Sequence, residues 1–188
     1  DGDGEPNERS TSTFGDYVDE LMIPQLREVV EKYDIDGMWI DGDCWGAVLD
    51  WSPKAVDAWK RETGVEPPTD PEDEAWHDWK EFHRGQFLRY LQHWVDTLHE
   101  TKPELDITSN WMYSTYAPVE PEVDLDYLSG DFSQANSCDR ARLEARYLAS
   151  TGKPWDLMAW GFNRSWEPRL HKSALALQQE AGVVLMQG

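Results

Sequence analysis

Five short apolar runs in this chain each close on polar or aromatic residues, and stretches of helical spacing fall between them. The runs are Gly37 to Asp41, Leu105 to Trp111, Leu125 to Asp131, Trp155 to Trp160 and Val183 to Met186. Strands that alternate with helices imply a parallel sheet, because a parallel neighbour can be reached only through a crossover. Polar strand ends suit a closed barrel better than an open nucleotide-binding sheet, and no glycine-rich phosphate loop supports the open form. A closed barrel takes about eight strands and roughly 250 residues, whereas this chain has 188. The expected fold class is therefore α/β, a partial (β/α)8 TIM barrel of about five parallel strands with intervening helices, incomplete in this chain and exposing sheet edges. Residues 1–188 read as a single catalytic-type domain, the carboxyl-terminal portion of such a barrel, with a helical insert at about 46–100.

The helices have their own signals. Val18, Leu21, Met22, Leu26, Val29, Val30 and Tyr33 recur at helical spacing, predicting a helix over 16–33 in which Pro24 either kinks the chain or marks the true first turn. Ser52-Pro53 supplies an N-cap hydroxyl and a proline at the first helical position, and Gly64 a stop, so a helix spans 53–63. Pro67, Pro68 and Pro71 make 65–73 an exposed connection. The apolar series from Trp76 to Leu98 predicts one long helix over 75–100. Further helices are expected near 139–150, ending at Gly152, and over 167–181, closed by Gly182.

Charge narrows the ligand class. With 37 acidic and 17 basic residues, a formal net charge of −20, the chain would repel nucleic acid and anionic membranes, which leaves a neutral ligand favoured. No apolar run approaches a membrane span, and Asp1-Gly2-Asp3-Gly4 reads as neither a signal peptide nor a start, so the chain is expected to be cut from something longer. Cys44 and Cys138 lack metal-ligand spacing, and the five histidines, all in predicted helices, form no i, i+4 pair and read as helix-surface residues. No metal site and no cofactor is expected. There is also no Gly-x-Ser-x-Gly turn for a serine hydrolase.

What remains is carboxylate chemistry beside aromatic rings. Asp41, Asp43 and Asp131 stand at or just past strand ends, where a barrel gathers its catalytic groups. Glycoside cleavage needs one carboxylate to attack or to activate water and a protonated partner for the leaving oxygen. Of the eleven tryptophans, Trp45, Trp51, Trp111, Trp160 and Trp166 fall in loops or beside strand ends, as a sugar-binding surface would require. Trp59, Trp76, Trp79 and Trp94 lie on amphipathic helices and read as core.

The run Met38-Trp39-Ile40-Asp41-Gly42-Asp43-Cys44-Trp45, preceded by a helix ending at Tyr33, resembles the nucleophile strand of the alpha-L-fucosidase family of retaining glycoside hydrolases, whose pattern there is Trp-x-Asp-Gly. The resemblance implies that Asp41 is the nucleophile. Ile107 to Trp111 is similar to that family's next strand, and Ala181 to Gly188 to its last one. Lys153 to Met158, followed by Trp160-Gly161-Phe162, resembles the segment that carries the general acid in some members, which makes Asp156 a candidate acid beside Asp131. The insert at 46–100 is more like loops of beta-galactosidase-like barrels. The expected activity is that of an O-glycosyl hydrolase acting on an oligosaccharide or glycoside. Asp41, Asp131 and Asp156 are its catalytic residues, with Asp43, Trp45, Asn110, Trp111, Trp160 and Asn163 binding substrate. Two alternatives stand beside it: a non-catalytic carbohydrate-binding barrel that has lost the acid, and a metal-dependent hydrolase in which Asp41, Asp43 and a histidine meet. A second carboxylate within roughly 10 Å of Asp41 would favour the enzyme over the binding module.

Overall fold

A computed structural model describes residues 11–41, 47–110, 120–163 and 168–188. The chain divides into two compact units, one from Asp1–Gly37, Trp45–Leu105 and Glu122–Asp124, the other from Met38–Cys44, Asp106–Pro121 and Leu125–Gly188.

The first unit is helical. A π-helical turn, Val18–Met22, runs directly into α1, Ile23–Lys32. Pro24 explains the junction: it has no N–H to give, and its ring would press on a carbonyl one regular turn back. The wider turn relieves this, with the Ile23 N–H donating to the Val18 carbonyl five residues back. α2, Pro53–Thr63, begins on the Ser52 hydroxyl, which accepts from the Ala55 N–H, and ends at Gly64 in the left-handed conformation (φ +78°). α3, Trp76–Thr101, packs against α1, with the Tyr90 hydroxyl 3.0 Å from Met22 Sδ and His93 2.7 Å from the Asp19 carboxylate.

Where α2 meets the start of α3 an aromatic core forms. Trp79 lies edge-on to Trp59 at 5.2 Å and stacked on Phe82 at 5.5 Å. Trp51 joins this cluster partly buried, 5.7 Å from Trp79 and 6.0 Å from Trp76, so it packs against the helical core. His83 is also inside, 1% exposed, which corrects the reading of all five histidines as surface groups. Its Nδ1–H donates to the Trp79 carbonyl at 2.8 Å and Nε2 accepts from the Asp50 N–H at 3.0 Å. Those two bonds fit the neutral ring, and burial pushes its pKa down.

The second unit holds the sheet. β1, Gly37–Ile40, which begins in the first unit, pairs with β2, Asp106–Ser109. The next two expected strands are present only as extended segments joined by single parallel bridges: Asn110 with Ser129, Leu128 with Trp155, and Asp131 with Met158. Their backbone bonds continue the order, Asp126 N–H to the Ile107 carbonyl, Asp156 N–H to Leu128 and Met158 N–H to Gly130. α4, Ser137–Ser150, buries Ala141, Ala145 and Leu148 and packs on α5, Ala174–Leu185.

The fifth expected strand is not formed. Val183, Val184 and Leu185 are the closing turn of α5, and Gly182, expected to end a helix over 167–181, lies within it. A four-residue apolar run has no periodicity of its own to separate strand from buried helix. The Met186 N–H to Gly182 carbonyl bond at 3.1 Å keeps the helix running past the glycine. His171, also expected on that helix, forms an antiparallel bridge with Phe162 instead. Among the described residues no helix is long and apolar enough to cross a membrane.

Candidate active site

Asp41 follows β1, Asn110 follows β2, and Asp131 ends the third paired segment, so three successive parallel segments deliver a polar residue at the same end. The Asn110 N–H donates to the Ile40 carbonyl at 2.8 Å, which fixes the register that brings these ends together. Asn110 itself is 4% exposed. Its Nδ2 donates to Asp41 Oδ1 at 3.0 Å and to Asp131 Oδ2 at 3.4 Å. Two oxygens held by one nitrogen cannot be farther apart than those bonds laid end to end, 3.0 and 3.4 Å, or about 6.4 Å. The amide oxygen of Asn110 is buried and has no hydrogen-bond partner among the described residues. A buried acceptor without a partner is costly unless a ligand supplies the donor.

The two carboxyl groups differ in surroundings. Asp41 is exposed and Asp131 half-buried. Burial raises the Asp131 pKa above the ordinary carboxyl value; the Asn110 bond opposes this, and the charges of Asp41 and Asp156 add to it. A raised carboxyl beside an exposed one is the division of labour that acid and nucleophile require.

Asp156 lies one step lower on the same polar face. Its Oδ1 accepts from the Ser129 hydroxyl at 2.6 Å, and Ser129 Oγ accepts from the indole N–H of Trp39 at 2.9 Å. Neither Trp39 nor Ser129 was singled out from the sequence. The alternation rule could have found both, since each stands two residues before a candidate acid and so shares its face. All these residues, Trp39, Asp41, Asn110, Ser129, Asp131 and Asp156, belong to the second unit.

Asp43, Trp45, Trp111 and Trp166 lie outside the described residues. Trp160 sits edge-on to Phe162 at 5.0 Å, and Arg169 stacks over the Phe162 ring at 5.1 Å. Asn163 is exposed and tied by its N–H to the Leu170 carbonyl at 2.8 Å. No hydrogen bond joins Trp160 or Asn163 to the three carboxylates among the described residues. The arm carrying them returns to Lys172, whose Nζ is 2.7 Å from Glu180 of α5, both side chains nearly fully buried. Among the described residues no group of three His, Cys, Asp or Glu side chains is placed to hold a metal ion. An open groove of about 1210 Å³ between Phe14, Lys54, Phe82 and Tyr90 lies in the first unit and is lined by none of Asp41, Asp131 and Asp156.

The model of the glycosyl hydrolase-like 10 family matches residues 14–119, more than half of the chain. The chain belongs to that family. The span matched to the glycosyl hydrolase-like 10 family includes Asp41 and Asn110 and ends before Asp131 and Asp156. No curated protein and no solved structure matches the chain. Membership makes the chain glycosyl hydrolase-like.

Proposed function

We propose that this member of the glycosyl hydrolase-like 10 family is a retaining glycoside hydrolase, the carboxyl-terminal part of a (β/α) barrel, with Asp41 as nucleophile and Asp131 as general acid and base. The observation that carries the reading is the single Asn110 amide bonded to both carboxylates. A separation of at most about 6.4 Å is short of the 6.5–9.5 Å that leaves room for water in inverting enzymes and is compatible with the retaining spacing of about 5–5.5 Å. Support for the barrel comes from the sequential parallel order and from polar residues delivered at one end of it.

In the first half-reaction Asp41 attacks the anomeric carbon while Asp131 gives its proton to the departing oxygen. In the second, Asp131 takes a proton from water, which releases the sugar from Asp41. Asn110 holds the pair at its spacing, and its open carbonyl accepts from a sugar hydroxyl. The presence of a second carboxylate beside Asp41 weighs against a binding module that has lost its acid. The Trp39-Ile40-Asp41-Gly42 resemblance makes an alpha-L-fucoside the first substrate to try.

The test is hydrolysis of a panel of aryl glycosides, α-L-fucoside and β-galactoside included, with the anomer of the first-formed product read by NMR. Asp41→Asn is expected to lower turnover on the order of a thousandfold, equivalent to about 4 kcal/mol of barrel-mouth chemistry, without unfolding the chain. Wild-type turnover in Asp41→Asn, or a product of inverted configuration, would overturn the assignment.

A further inference from the structure

The two-carboxylate reading leaves the third acid without a task. The register settles where it stands: Leu128 pairs with Trp155 and Asp131 with Met158, so Asp156 is beside Ser129, two residues before Asp131 along the strand direction. Two residues of extended chain are about 6.6 Å. Asp156 is thus near enough to be felt by Asp131 and too low to share the Asn110 amide.

The bonds to Asp156 have a fixed direction. An indole N–H can only donate, so Trp39 occupies a lone pair of the Ser129 oxygen at 2.9 Å. The hydroxyl's one proton then goes to Asp156 Oδ1 at 2.6 Å. Ser129 is 1% exposed, so its hydroxyl is committed to this geometry. The bond therefore fixes the position of the Asp156 carboxyl group relative to the segment that carries Asp131.

We propose that Trp39 and Ser129 are positioning residues that fix the Asp156 carboxylate beneath the pair, where its charge bears on Asp131. The inference rests on the reading of Asp131 as the acid. It gives each of the three a distinct part: Asp41 attacks, Asp131 carries the proton, and Asp156 sets where that proton resides. Among the described residues the groups around Asp131 divide: the Asn110 bond opposes its shift, and the charges of Asp41 and Asp156 add to it. Asp41 comes from the end of β1, Asn110 from the end of β2 and Asp156 from the next paired segment. Tyr127 stands on Asp131's own segment; its phenol is pushed up by burial and then by Asp156, Asp106 and Asp126, so it stays neutral while the carboxyls titrate. The Asp131 shift, raised by burial first and further by Asp41 and Asp156, points the same way.

The experiment is a carbon-detected carboxyl titration of the 188-residue chain, with the Asp131 signal assigned by its loss in Asp131→Asn. Asp156→Asn, at an exposed position, is expected to lower the Asp131 midpoint by roughly half a pH unit or more. Ser129→Ala is expected to move it in the same direction, and Ser129→Thr, which keeps the hydroxyl, to restore it. Circular dichroism confirms that each variant is folded. An unchanged midpoint in folded Asp156→Asn, or equal effects of Ser129→Ala and Ser129→Thr, overturns the proposal. Because no substrate is present, the outcome is separate from that of the glycoside assay. A chain that cleaves no glycoside defeats the functional reading and leaves the titration to be judged alone.

Discussion

Removing one partner of the Lys172–Glu180 pair should be the most damaging single change in the second unit. The two side chains are only 4% and 3% exposed, and Nζ lies 2.7 Å from one carboxylate oxygen and 3.0 Å from the other. Glu180→Gln keeps the shape and removes the charge, leaving a buried ammonium without a counter-ion; such losses cost about 3–5 kcal/mol. With an unfolding entropy of about 2.1 cal/mol/K per residue, a chain of this length changes by roughly 0.4 kcal/mol per degree, so Tm should fall by roughly 8–13 °C. Lys172→Met should do similar harm, by stranding the carboxylate. The double variant Lys172→Met with Glu180→Leu should recover most of the loss, because an apolar pair of similar volume needs no compensation. Thermal and urea unfolding of the wild type, Lys172→Met, Glu180→Leu and the double variant completes the cycle, with Glu180→Gln measured beside it. If Glu180→Gln melts with the wild type, or the double variant is as unstable as the two singles added, the pair is not acting as a buried ion pair.

Two further outcomes follow from groups that the sequence reading misplaced. His83 has its folded pKa depressed below 6.5, so below that pH the unfolded chain takes up a proton that the folded chain resists. Its contribution is complete above about pH 6.5 and falls by up to about 1.4 kcal/mol per pH unit below it. Urea unfolding of wild type and His83→Gln between pH 7.5 and 5 should show the variant with the shallower dependence, and parallel slopes would refute it. Gly182 lies inside α5 with nothing within 4 Å of an added Cβ and no positive φ. Gly182→Ala should therefore stabilise by about 0.8–1 kcal/mol in urea unfolding; a loss of stability would favour the helix stop expected from the sequence.

How far the sequence reads depends on whether the signal is local. Ser52-Pro53 and Gly64 mark both ends of α2 because cap chemistry acts within four residues. The strand of Asp41 is equally legible, its apolar run ending on the acid. Val183-Val184-Leu185 carries no such mark, and its place in α5 is decided by hydrogen bonds that continue through Gly182. Trp51 reads as a loop aromatic until Trp76 and Trp79, more than twenty residues away, are seen to enclose it. At the site the three acids were nameable singly, but their relation was not. The Asn110 amide joins residues 69 and 21 positions away, and no periodicity spans such gaps. Ser129 was overlooked because a serine beside an acid has no sequence signal until alternation places it on the acid's face.

The shared amide has one more consequence. Asp41's negative charge is among the causes that raise Asp131, so whatever neutralises Asp41 loosens the Asp131 proton. In the proposed mechanism, esterification by a bound sugar would be such an event, since the ester carries no charge. On that proposal the hand-over from proton giver to proton taker would need no moving part: the chemistry that uses the first acid would reset the second, and hydrolysis of the ester would wind it back.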